Sequence, residues 1–313
     1  MSDDLLIARD VAVAFGPGSS LFGLARSPVK VLHGVTIRIG RGETVGIVGE
    51  SGSGKTTLGR ALLRLIDVAS GTIEFDGLDI TRLPEAAMRP IRRRMQLIFQ
   101  DPMASLNPRH TIRRIVLEPM LFHRVAASEA DAEERARKIF ARFNLPYACL
   151  ERYPHELSGG QRQRVGIARV ALLAPDFVLA DEIVSGLDVS TQAQVLNLLK
   201  GLSRDLGLSM AFISHDLSVI RAVCDRVYVL QSGRIVEEGY CDHVFATPSH
   251  EYTRALLDAI PLPRIDPDWL GRTNVVEAVG ERNTNLLAAG KSGFRADRIG
   301  GDSGTRPDHK NTS

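Results

Sequence analysis

Residues 49–56 read Gly-Glu-Ser-Gly-Ser-Gly-Lys-Thr, a spacing of types that suits phosphate. Glycines let the backbone wrap a polyphosphate with its N–H groups turned inward, and a helix opening behind them adds a favourable dipole. Lys55 would reach the outer two phosphates, and the Thr56 hydroxyl would serve a Mg²⁺ ion. The stretch fits G-x-x-x-x-G-K-S/T without a gap, a match that chance supplies in about 1% of chains this long. The candidate nucleotide-binding set is therefore Gly49, Glu50, Ser51, Gly52, Ser53, Gly54, Lys55, Thr56 and Thr57. A second patch of chemistry follows 126 residues after Lys55, where Phe177-Val-Leu-Ala runs into Asp181-Glu182. A buried strand tolerates Asp181 at its end only beside a cation such as Mg²⁺. Glu182, one residue on, is placed to orient or deprotonate an attacking water. Together the two patches describe a P-loop nucleoside triphosphatase.

Elements must hold these groups. Leu5–Val13 and Val31–Ile39 alternate partially with period two and read as strands, with a turn at Arg41-Gly-Glu43. Thr44–Val48 is a short apolar strand running into the glycines, and Thr56–Ile66 has helical spacing with Leu58, Leu62, Leu63 and Ile66 on one face. From Asp101 to Gln163 the periodicity is helical, notably at Ile112–Phe122 and Ser128–Phe143, and prolines at 102, 108, 119, 146 and 154 break this region into short helices. Strands return at Phe177–Ala180, Ser209–Ile213 and Arg226–Leu230, separated by helices at Thr191–Leu206 and Leu217–Val223. That alternation predicts a mostly parallel α/β sheet with a helical block inserted on one side. Beyond Pro261 the composition becomes that of a solvated tail.

Composition narrows the classes. The chain has 313 residues, 44% of them apolar, and a net charge of +2, so it is globular and gives no global reason to bind nucleic acid. No run of about 18 apolar residues occurs, and acids stand near the start where a signal peptide carries positive charge. Cys149, Cys224 and Cys241 are too scattered for a disulfide framework or a zinc site, and Cys241-Asp-His243 lacks a second ligand pair. A reduced, cytosolic setting is expected. Seven arginines and one acid lie between Arg89 and Arg114. They form either a solvated rim or a patch for anionic lipid or acidic membrane partners.

Leu157-Ser158-Gly159-Gly160-Gln161 resembles the signature sequence of ATP-binding cassette (ABC) ATPases. It begins 20 residues before the acidic strand, where that family places it. Gln100, ending a strand at Met95–Phe99, resembles the family's Q-loop, Ser185-Gly-Leu-Asp188 its D-loop, and His215 its switch histidine. Phe15 sits where an aromatic ring stacks on adenine, with Phe22 as a rival. The resemblance runs from Leu5 to Pro263. It implies a P-loop core with a mostly parallel sheet, an N-terminal antiparallel β subdomain and an inserted α-helical subdomain. The domain would span residues 1–262, with the helical part at about 101–164, a C-terminal extension at about 231–262 and a poorly ordered tail at 263–313.

The same resemblance implies ATP and Mg²⁺ as ligands, with Thr56, Gln100 and Asp181 around the metal. Glu182, His215, Lys55 and Gln100 would be the catalytic group. Ser158, Gly159, Gly160, Gln161 and Asp188 would address the nucleotide held by a partner subunit, so that ATP joins two subunits and hydrolysis releases them. One departure stands out: the family pattern after Asp-Glu is usually Pro-Thr-Ser-Ala, whereas this chain has Ile183-Val184-Ser185-Gly186; the acids and Asp188 remain, so hydrolysis is expected, with a turn able to loosen Glu182 or slow turnover.

Gln100–Arg109, Tyr153-Pro-His-Glu-Leu and the segment Ser249–Pro261 further resemble the peptide and nickel branch of ABC importers, although Glu251 replaces a usual proline. The branch implies a peripheral ATPase at the cytoplasmic face of the inner membrane. Its partners would be permease subunits, a second ATPase subunit and, indirectly, an extracytoplasmic solute-binding protein. Some relatives carry an iron–sulfur cysteine cluster after this point; none is expected here. The alternative is a non-transport ABC ATPase acting on nucleic acid or ribosomes, but its usual coiled-coil, zinc-finger or second-cassette additions are missing from the sequence.

Overall fold

A computed structural model of the chain describes residues 3–16, 28–99, 101 and 105–259. Its first half contains β1 (Asp4–Phe15), β2 (Val29–Gly40), β3 (Thr44–Val48), α1 (Lys55–Leu62), β4 (Ser70–Phe75), β5 (Leu78–Asp79), α2 (Glu85–Arg94) and β6 (Met95–Ile98). The helical block follows as α3 (Ile112–Phe122), α4 (Glu129–Arg142), two short turns at Tyr147–Glu151 and Pro154–Glu156, and α5 (Gly159–Ala171). The remainder is β7 (Phe177–Asp181), α6 (Val189–Leu206), β8 (Ser209–Ile213), α7 (Leu217–Val223), β9 (Arg226–Gln231), β10 (Arg234–Tyr240), α8 (Cys241–Ala246) and α9 (Glu251–Asp258).

Two sheets result. One is antiparallel, in the order β2-β1-β4-β5; the other runs β10-β9-β3-β8-β7-β6. Its pairings are parallel from β9 through β6, and β10 joins β9 antiparallel. β3 is buried at all five residues, as a strand covered on both faces must be. Val45 and Ile47 enter one core cluster with Leu58, Ala61 and Leu62 of α1 and with the inner faces of β1 and β2. The intervening Gly46 faces the other way, against Ile220 of α7 and Cys224 just after it. α1 lies tight on β7 and β8 because Gly59 has no side chain: a Cβ there would come within 2.6 Å of a Leu179 methyl.

Several expectations need correction. α1 ends at Leu62 rather than Ile66. Pro119 does not break its helix; it sits inside α3, near the C-terminal end. Strand β4, edge strand β10 and helix α2, which contains Pro90, were not foreseen. The arginine run is mostly consumed within the fold. Arg92 bonds Glu85 and the Leu63 and Arg64 carbonyls, and Arg94 joins Asp76 and Asp176. Arg93 reaches the Leu173 carbonyl, Arg113 pairs with Glu133 and Glu151, and Arg114 pairs with Glu118. That internal pairing weakens the reading of a free basic patch. Cys149, Cys224 and Cys241 are buried thiols. The expected tail at 263–313 lies outside the described residues, as does the end of the C-terminal extension.

Candidate functional site

The glycine loop leaves the C-terminal end of β3 and turns into α1. Gly49 has φ 149, and a Cβ there would lie 2.1 Å from the Leu230 carbonyl oxygen, so a side chain is excluded. Gly54 is the N-cap of α1 at φ 105 and offers no side-chain cap, which leaves the first amides of the helix to a ligand. A cavity of about 280 Å³ opens there, lined by Val31, Ser51, Gly52, Gly54, Lys55, Thr56, Thr57 and Glu182. The buried Ser53 Oγ has no hydrogen-bond partner among the described residues. The cradle therefore fits a polyphosphate, both by its uncapped amides and by an orphaned hydroxyl.

Lys55 crosses the loop, its Nζ donating to the Gly49 carbonyl at 2.7 Å and the Glu50 carbonyl at 2.8 Å. An ammonium has three donors, so one remains for phosphate. Burial pushes its pKa down, and the carboxylates of Glu182, Asp181 and Glu50 oppose that shift. Thr56 Oγ1 lies 3.4 Å from Asp181 Oδ1. Burial pushes the Asp181 carboxyl up and the neighbouring Glu182 adds to that, while the Thr56 hydroxyl pulls it down. A hydroxyl and a carboxylate brought together at a strand end form an oxygen donor set of the kind Mg²⁺ takes.

Glu182 follows directly in the left-handed region at φ 49, with its amide donating to the Ile213 carbonyl at 2.9 Å. His215, two residues past the end of β8, places Nδ1 3.5 Å from Glu182 Oε1. Its side chain is 62% exposed, which leaves it open to a ligand or a neighbouring subunit. Glu182 and His215 thus meet at the ends of adjacent strands.

The signature residues stand elsewhere. Ser158 caps α5, accepting from the Gln161 amide, while the Gln161 side chain accepts from the Ser158 amide. Ser158 and Gly159 are exposed, and none of residues 158–161 lines the cavity. Asp188 is likewise not in that lining. It caps α6, and three donors from Ser190 and Thr191 hold its carboxyl well below the usual range. Phe15 ends β1 with its ring 48% exposed, and the cavity wall nearest it in the sheet is Val31, which sequence reasoning missed. Gln100 and Phe22 lie outside the described residues. A second missed residue is Gln163, 2% exposed, whose Nε2 donates to the Ile183 carbonyl at 2.8 Å. That bond, with Ile183 1% and Val184 5% exposed, shows the unusual turn packed and tethered rather than loose.

A strand, glycine cradle and helix, with an acid pair at the end of a nearby strand, define a P-loop nucleoside triphosphatase. The family model described as ABC transporter matches residues 32–185. A putative peptide import ATP-binding protein of Brucella ovis is 54% identical over 80% of this chain and 80% of its own length. The oligopeptide transport ATP-binding protein AmiF of Streptococcus pneumoniae is 47% identical over 84% of this chain and 83% of its own length. Among solved structures, the dimeric post-hydrolysis ATP-binding cassette MJ0796, bound to ADP and Pi, superposes with a TM-score of 0.67 at 29% identity. That match covers 75% of this chain and 98% of the other. The chain belongs to the ABC transporter family of ATP-binding proteins, and it is an ATPase that binds ATP.

Proposed function

We propose that this ATPase energises uptake of peptides or related small solutes by an ABC importer, working at the cytoplasmic face of the cell membrane. No described helix is long and apolar enough to cross a membrane, so the proposal gives the crossing to permease subunits. An extracytoplasmic solute-binding protein delivers the cargo indirectly. The names of the similar proteins support the peptide class.

The observation that carries the catalytic reading is the convergence of Lys55, Thr56 and Glu182 on one small cavity, with Asp181 behind Thr56 at 3.4 Å and His215 beside Glu182. In this reading the loop amides and Lys55 bind the β- and γ-phosphates. Thr56, Asp181 and Gln100 hold Mg²⁺, which would offset charge on the phosphates. Glu182 positions a water and takes its proton, His215 contacts the γ-phosphate, and Phe15 stacks on adenine. The exposed Ser158 and Gly159 and the half-buried Gly160 and Gln161, with Asp188, complete the site of a second ATPase subunit, either a copy of this chain or a related one. ATP then favours the closed pair because it contacts both halves only when they meet.

Glu182→Gln tests this reading. The variant is expected to bind ATP and pair as the wild type does while its turnover falls at least about 100-fold, the lower end for a lost general base. Hydrolysis at the wild-type rate would remove Glu182 from the mechanism. Purification from membranes is expected to bring permease subunits along with the chain.

A further inference from the structure

The segment Ser249–Pro261 was singled out by sequence, yet the catalytic reading gives it no task; its described part ends at Ala259. It opens α9, and its position is defined from β10. Glu237 Oε1 accepts from both the Ser249 amide and the Ser249 hydroxyl, each at 2.7 Å, and Oε2 accepts from the His250 amide at 3.1 Å. Burial works against the Glu237 charge, but Thr253, Ser249 and His250 outweigh it and hold the carboxyl down at about 2. His250 is the N-cap of α9, with Nδ1 accepting from the Tyr252 amide at 3.1 Å. Tyr252 is half-buried, and its hydroxyl accepts from the Glu50 amide at 2.9 Å, across 202 residues of sequence.

That amide belongs to the same peptide unit as the Gly49 carbonyl, which accepts from Lys55 Nζ at 2.7 Å. A peptide group is planar and trans, so its N–H and C=O point in opposite directions. We propose that Tyr252 is a positioning residue of the nucleotide site: its hydroxyl and Lys55 hold opposite ends of the Gly49–Glu50 peptide, which fixes the loop and the direction of the lysine ammonium. The proposal rests on reading residues 49–57 as the ATP cradle. Only the outer shoulder of the loop is engaged, leaving the amides of Gly54 through Thr57 to phosphate. Gly49 has little room to adjust if the grip is lost, because its backbone lies against the Leu230 carbonyl. β9 carries Leu230 and pairs with β10, which carries Glu237, so the C-terminal extension and the phosphate loop brace each other through one route.

Tyr252→Phe removes the hydroxyl and keeps the ring. A neutral hydrogen bond commands about a threefold to tenfold change in an equilibrium. The variant is therefore expected to weaken binding of a fluorescent ATP analogue to the full-length chain by that factor. In the assembled ATPase it should raise KM for ATP equally, with kcat within about twofold and the melting temperature unchanged. Tyr240→Phe, at a tyrosine 70% exposed, is the control and leaves both constants alone. Glu237→Gln, which weakens the anchor of α9 but keeps the hydroxyl, is expected to shift KM the same way. Lys55→Ala separates the two readings: if it abolishes ATP binding while Tyr252→Phe binds as the wild type does, the brace is wrong and the cradle stands. If Lys55→Ala binds ATP normally, the cradle itself is wrong. A fall in kcat and melting temperature with KM unmoved would make Tyr252 a packing residue only.

Discussion

Replacing Gln163 by leucine keeps nearly the same side-chain volume but removes the amide that donates to the Ile183 carbonyl. The donor sits on α5, five residues after Ser158, and the acceptor follows Glu182 directly. Both residues are almost fully buried, so water cannot take over the lost bond without disrupting the packing. An unsatisfied buried carbonyl costs about 1–3 kcal/mol. At roughly 2–4 °C per kcal/mol for a domain of this size, the melting temperature is expected to fall by about 2–12 °C. Activity is expected to fall further than stability. Glu182 is held at φ 49 by its own amide on Ile213 and by the turn behind it, where the Ser185 amide donates to the Glu182 carbonyl. Releasing Ile183 frees one side of that turn, and a displacement near 1 Å of a catalytic group costs about 100-fold in rate. The assay is phosphate release at saturating Mg-ATP, run well below the melting temperature, beside a thermal melt and an ATP-binding titration. A leucine variant with unchanged melting temperature and unchanged kcat would refute the claim that this bond sets the turn.

Three further outcomes follow from the geometry. Asp181→Asn is expected to raise the melting temperature without nucleotide while abolishing Mg²⁺-dependent hydrolysis. A carboxyl whose pKa is pushed up by burial costs stability at neutral pH, and the amide removes that cost; a lower melting temperature would contradict this. Gly49→Ala is expected to lose both ATP binding and thermal stability, because its Cβ would lie 2.1 Å from the Leu230 carbonyl; near-normal ATP affinity would show that the loop relaxes freely. Glu237, held down at about 2, contributes stability that is fully present above its unfolded value near 4.5 and is lost as pH falls toward 2. Hydrogen-exchange protection of α9, corrected for intrinsic rates, should therefore decline over that window in the wild type and stay flat in Glu237→Gln.

The phosphate cradle was legible because its physics is local. Gly49 and Gly54 are needed at φ 149 and 105, and β3 is an unbroken buried run, so both leave marks in consecutive residues. The acidic strand β7 and its partner β8 were legible for the same reason. What escaped depends on tertiary packing. β10 carries Glu237, Glu238 and Gly239 and reads as a polar stretch, but pairing with β9 makes it a strand. Pro119 suggests a break, yet α3 continues through it under packing by Ile115 and Met120, and α2 likewise contains Pro90 beside the buried Met88 and Ile91. The substitution at Ile183-Val184 was visible as a departure, but its tether on Gln163 comes from a helix 20 residues earlier. No spacing rule could have paired Tyr252 with Glu50.

The start of α5, exposed at Ser158 and Gly159, does not line the cavity of its own chain. Determining the structure of the membrane complex carrying Glu182→Gln, trapped with Mg-ATP, would decide whether a second subunit uses it. Ser158 Oγ and the Gly160 amide are expected to face the γ-phosphate seated on the opposite subunit's glycine loop. If Ser158 points away from every bound nucleotide in that closed complex, ATP is not shared between two subunits and the coupling proposed for this protein is wrong.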